Sequence, residues 1–149
     1  MIIVSACLCG LNCKYNGKNN EAIDIIRKLE KEDIIPVCPE QLGGLPTPRD
    51  PSEISNGTGE EVLKGKGKVI SINGEDYTGY FIKGAEETLK IAKLFQVKKA
   101  ILKSNSPSCG YKKIYNGDFK GILKEGNGVT AQLLLDNGIE VISEKDLKE

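Results

Sequence analysis

Short apolar runs alternate along this chain with segments of helical spacing, and that alternation constrains the fold more than any other feature. The runs at residues 2–6, 34–38, 68–72, 99–103 and 139–142 have the length of strands. Between them, residues 21–31 carry apolar side chains at Ala22, Ile25, Ile26 and Leu29. Residues 80–96 carry them at Phe81, Ala85, Leu89, Ala92 and Phe95, with Thr78 as the expected N-cap of this longest helix. Residues 130–136 read as a last helix, closed by Asn137-Gly138. Strands that alternate with helices pack as a mostly parallel sheet covered on both faces. The expected fold is therefore α/β, a single Rossmann-like domain over residues 1–149, and 149 residues suffice for one buried core.

Two stretches fall outside that period. QLGGLPTPRDP, residues 41–51, is so rich in Gly and Pro that it reads as a long functional loop. GTGEEVLKGKGK, residues 57–68, looks the least ordered and is expected to form a surface hairpin rather than a mobile lid.

Composition narrows the function. The 21 basic and 21 acidic residues cancel, so no excess positive potential is present to neutralise a nucleic-acid backbone, and a small-molecule partner is expected instead. The opening MIIVSAC lacks a basic leader, and no apolar run approaches the roughly 20 residues that span a bilayer. A cytoplasmic location with no membrane partner is expected, where thiols stay reduced. Five cysteines, an odd number, then point to metal ligation or thiol chemistry rather than a disulfide framework. Histidine is absent, which removes histidine-based triads and mixed cysteine-histidine zinc sites.

In open α/β sheets ligands bind just beyond the carboxyl ends of the strands. All five cysteines fall at or past such an end: Cys7, Cys9 and Cys13 in VSACLCGLNCKYNG, Cys38 in VCPE, and Cys109 in SNSPSCG. The C-x-C-x3-C spacing is not that of a zinc knuckle, whereas an iron-sulfur cluster accepts thiolates from separated loops. If three cysteines bind such a cluster, one iron stays open to act as a Lewis acid. Glu40, two residues past Cys38, is a candidate general base or acceptor of a substrate N–H. Ser106, before Pro107, either caps its turn or binds substrate. Arg49 is read as an anion binder or a partner of Asp50, and Lys103 as a site cation or a solvated strand-end charge.

The segments SACLCGLNCKYNG, VCPEQLGGLPTPR, GEDYTGYFIKGAEETL, ILKSNSPSCG, IYNGDFKG and GNGVTAQLL, in this order, resemble the thiouracil desulfurase family over nearly the whole chain. The resemblance implies a 4Fe-4S cluster held by three cysteines, with the fourth iron free to take the sulfur of a thiolated pyrimidine. Carried residue by residue, the ligands fall on Cys7, Cys13 and Cys109, and the active-site positions on Cys38, Glu40 and Ser106. Cys9 departs from the family pattern, which mostly has an aliphatic residue there. The implied reaction is a non-redox, hydrolytic desulfuration of 2-thiouracil or a related thiolated nucleobase, with a downstream sulfur acceptor as a further partner.

Two rivals stand beside this reading. In a non-catalytic iron-sulfur or redox-sensing module, Cys38 or Cys9 closes the cluster as a fourth ligand. In a metal-free sulfurtransferase, Cys38 carries a persulfide, activated without histidine by a lysine or a helix N-terminus.

Overall fold

The computed structural model describes residues 1–29 and 32–147. Its centre is a four-stranded parallel sheet built from β1 (Ile2–Ser5), β2 (Ile34–Val37), β5 (Lys99–Leu102) and β8 (Glu140–Ser143), in the order β2-β1-β5-β8. The register pairs Ile2 with Ile34, Ile3 with Ala100, and Lys99 with Glu140. All four residues of β1 are buried, as expected of a central strand whose two faces are both covered.

Alternation along the strands sorts the core into two layers. Ile3, Ala100, Leu102 and Val141 point to one face, where α4 (Thr78–Leu94) and α5 (Val129–Asp136) cover them with Ala92, Ala131 and Leu134. Ile2, Val4 and Ile101 point to the other, under Leu8, Ile25 and Leu29 from α1 (Ile23–Lys28) and the chain on either side of it. Helices thus lie on both faces of a mostly parallel sheet, as the alternation predicts. Among the described residues no helix is long and apolar enough to cross a membrane.

Several local expectations need correction. The first helix is shorter than residues 21–31. The preceding chain is tied instead to the first loop, Asn20 N–H donating to Cys7 O at 2.9 Å and Ala22 N–H to Leu8 O at 3.0 Å. Glu30 and Lys31, at the far end of the expected helix, lie outside the described residues. Thr78 is the first residue of α4 rather than its cap: Asp76 Oδ1 accepts the Thr78 N–H at 2.9 Å, while Thr78 Oγ1 accepts from Val69 N–H.

The run at residues 68–72 does form a strand, β4 (Val69–Ser71), but it pairs antiparallel with β3 (Ser52–Ile54) in a separate ribbon. The turn-rich segment after Cys109 holds a second ribbon, β6 (Lys113–Tyr115) with β7 (Leu123–Glu125). Residues 57–68 are not a hairpin. They contain α3 (Gly59–Leu63), closed at its start by a capping box in which Glu61 Oε1 accepts the Thr58 N–H at 2.7 Å.

The loop after β2 begins with a single turn of helix, α2 (Pro39–Leu42), with proline at its first position. Its docking on α4 depends on two glycines. A Cβ at Gly84 would stand 2.0 Å from Pro39 O, and one at Gly43 would stand 2.0 Å from Tyr80 O. Gly84→Ala is expected to cost about 1–3 kcal/mol by forcing α2 away. Gly79→Ala on the same helix, with nothing within 4 Å of the added methyl, is expected to be neutral or stabilising. Urea unfolding midpoints of the two variants check the contrast.

Candidate active site

The strand order reverses direction at β1: the chain moves outward from β1 to β2, then returns to the other side of β1 for β5. Such a switch point leaves a crevice beyond the carboxyl ends of the two inner strands. A cavity of about 450 Å³ lies there, and its wall includes Cys7, Cys13, Cys109, Glu40 and Ser106. Residues from three widely separated stretches of sequence therefore share one space.

Each side chain is delivered by a distinct local device. Cys7 sits in the 3-10 turn (Ala6–Cys9) that follows β1, which Gly10 ends in the left-handed conformation at φ 88°. Cys13 follows on the same loop and is buried. Cys109 lies at the end of the loop after β5. There Ser106 Oγ accepts the N–H groups of Ser108 at 3.0 Å and Cys109 at 2.9 Å, so the serine caps this turn while also lining the cavity. The start of α5 clamps the same loop from below, Val129 N–H donating to Pro107 O and Thr130 N–H to Ser108 O. A Cβ at Gly128 would meet the Ser108 carbonyl at 2.5 Å, so only glycine permits this approach.

Glu40 rides on α2, and Arg49 holds it. Arg49 Nη2 contacts Glu40 Oε2 at 3.2 Å and donates to Cys13 O at 3.0 Å, with the guanidinium side chain only 5% exposed. The arginine thus pairs with Glu40, not with Asp50, whose carboxylate accepts from Asn73 instead. Glu40 Oε1 has no hydrogen-bond partner among the described residues. Lys103 is likewise not a solvated charge. Its Nζ lies 3.1 Å from Glu144 Oε2, and the buried Glu144 also accepts from the Ser104 N–H at 2.7 Å.

Cys9 and Cys38 are not among the residues that line this cavity. Cys9 packs with Leu8 against the apolar layer of α1. Cys38, at the end of β2, has its thiol against the Cys13 thiol and 3.7 Å from the Cys13 carbonyl. The hydrogen bond from Cys13 pulls the Cys38 thiol below its ordinary value and pushes Cys13 well above, with burial adding to the latter. Burial raises Cys7 and Cys109, and the negative charge of Glu40 adds to the rise at both. Among the described residues no three acidic or cysteine side chains are placed to chelate a single ion.

Sequence reading missed Glu144, Asn20 and Glu53, all near this crevice. Glu144 carried a usable signal, since it follows the last strand at the same sheet edge as the cysteines. Glu53 carried none, because β3 is too short to show alternation.

Comparison with known proteins agrees with the geometry. The family model described as 2-thiouracil desulfurase matches residues 2–146. The chain is 47% identical over 149 residues to the Bacillus subtilis (strain 168) protein YbbK, described as uncharacterized, covering all of this chain and 99% of that one. Among solved structures, that of the 4Fe-4S-dependent thiouracil desulfidase TudS (DUF523Vcz) superposes with a TM-score of 0.87 at 40% identity, covering 98% of this chain and 91% of the other. A fold, a thiol-lined crevice and a match over nearly every residue lead to one conclusion: this chain belongs to the 2-thiouracil desulfurase family.

Proposed function

We propose that this protein hydrolyses the carbon-sulfur bond of 2-thiouracil or a related thiolated pyrimidine, using a 4Fe-4S cluster held by Cys7, Cys13 and Cys109. The observation that carries this reading is the convergence of those three cysteines, from the loops after β1 and β5, on one cavity large enough for a cluster and a small ring. The donor set fits the group. Cys7, Cys13 and Cys109 all line one cavity, and thiolates are the donors that iron-sulfur clusters take.

When bound, the cluster would be held by Cys7, Cys13 and Cys109 and would supply a thiophilic, Lewis-acidic iron suited to a thiocarbonyl sulfur. The chain's own groups do the rest. Arg49 fixes Glu40 through Oε2, leaving Oε1 to orient a water and take its proton as that water attacks. The Ser106 oxygen is already an acceptor for two backbone N–H groups, so its hydroxyl hydrogen is free to donate to the ring or to the negative charge that develops on it. The balanced reaction is thiouracil plus water to uracil plus hydrogen sulfide, with no net electron transfer. The sulfide is then free for release or for a downstream acceptor, in the reducing cytoplasm that free thiol chemistry requires.

Cys38 carries the competing metal-free reading, because it alone among the five thiols is shifted toward thiolate. Its thiol faces Cys13, one of the cluster ligands of this reading, which suits a supporting role beside them. The test is anaerobic reconstitution followed by 2-thiouracil turnover, read as loss of thione absorbance and formation of uracil and sulfide. Turnover that tracks iron and acid-labile sulfide content is the expected result. Turnover by iron-free protein would remove the cluster from the reaction.

A further inference from the structure

The wall of the cavity also includes Glu53 on β3 together with Tyr115 and Phe119 of the β6–β7 ribbon. Glu53 is a carboxylate only 8% exposed, within a strand whose neighbour Ile54 is wholly buried. One of its oxygens is structural. Oε1 accepts the N–H of Gly117 at 2.9 Å and that of Phe119 at 3.2 Å, so a single atom ties the turn of the ribbon down over the site. Phe119 sits in the left-handed region at φ 56°, which a bulky side chain adopts only when its surroundings enforce it.

The other oxygen is uncommitted. Glu53 Oε2 takes part in no hydrogen bond or ion pair with the described residues. No fully buried side-chain oxygen or nitrogen is left without a partner among them, so Oε2 keeps accessible surface, and the cavity is the space Glu53 lines. A carboxylate oxygen open to the cavity, on a side chain whose other oxygen is held by two backbone donors and with two aromatic residues in the same wall, is a pre-organised acceptor for an N–H in the plane of a flat ring.

We propose that Glu53 is a substrate-recognition residue: Oε2 accepts a ring N–H of the pyrimidine while Tyr115 and Phe119 contact its face. This inference rests on the desulfurase reading above and adds to it a selection rule. The site takes bases that keep that ring N–H and rejects rings methylated there. Glu53 also sets the position of Phe119, so recognition and closure of the ribbon share one side chain.

Glu53→Gln separates the two roles, because the amide oxygen can keep both backbone hydrogen bonds while the free acceptor becomes an NH2 donor. The experiment is calorimetric binding of uracil, 1-methyluracil and 3-methyluracil to the anaerobic, cluster-loaded wild type and variant, alongside thermal melting. Loss of a charge-assisted hydrogen bond should weaken uracil binding by about 10- to 100-fold in Glu53→Gln with an unchanged melting temperature. In the wild type, one of the two methyl positions should weaken binding by a similar factor, and the variant should bind that methylated ring no worse than the wild type does.

Wild-type uracil affinity in a normally melting Glu53→Gln protein would overturn the proposal and leave Glu53 as a clamp alone. Should the variant fail to fold, the wild-type series decides by itself: indifference to methylation at both positions overturns the proposal, and sensitivity at one supports it. A wild type that turns over 2-thiouracil while Glu53→Gln keeps its KM sinks this inference only. A wild type that neither binds uracil nor consumes 2-thiouracil takes down both.

Discussion

Cys109→Ser is expected to yield a folded protein that cannot hold its cluster: anaerobic reconstitution should leave it without the brown chromophore and with background iron and acid-labile sulfide. Cys109 is 4% exposed, its loop is fixed by Ser106 and by the start of α5, and serine is close to its volume, so the backbone has little reason to move. What changes is the donor, from a soft thiolate to a hydroxyl that iron-sulfur clusters do not retain. Outer partners of metal ligands are already worth about 10- to 100-fold in affinity, so loss of one of three ligands should cost more than about 100-fold. Cys7→Ser and Cys13→Ser should behave alike. Cys9→Ala should keep the chromophore, because Cys9 packs in the apolar layer away from the cavity wall. Full cluster absorbance in Cys109→Ser would remove this ligand assignment.

The second large effect is expected at Glu40. Glu40→Gln should load its cluster normally and lose about 100- to 10,000-fold in kcat, the range general acid-base groups contribute. The substitution is nearly isosteric, and the amide oxygen can still accept from Arg49, so the geometry of α2 and of the Cys13 carbonyl beside it is preserved. Only the ability to take a proton from water is lost. Single-turnover kinetics with cluster-loaded protein, normalised to iron content, separates this from a loading defect. Unchanged turnover would end the acid-base role of Glu40 and shift attention to Lys103, the cavity-lining cation that Glu144 holds in place.

The parts of the fold that are legible in the sequence are those with a period. The strands β1, β2, β5 and β8 show as short apolar runs, and the helices α4 and α5 as side chains repeating every three to four residues. The segment Thr58-Gly-Glu-Glu61 carries a capping-box signature, but the Gly- and Lys-rich composition around it hides the helix. The strand near residue 70 is legible from its apolar run, whereas its partner is not. Pairing with the three residues of β3 is a long-range event that no local pattern encodes.

The same division runs through the site. The sequence predicts that the thiols gather at one edge, because parallel strands all end on the same side of the sheet and every cysteine follows a strand end. It could not settle what each group touches. Arg49 chose Glu40 over its neighbour Asp50, Lys103 found Glu144, and the Cys38 thiol met Cys13. Glu53 entered the wall from a ribbon with no sequence signal. Those choices depend on which loops the closed core pushes together, and contacts between residues distant along the chain exist only once the backbone has been placed.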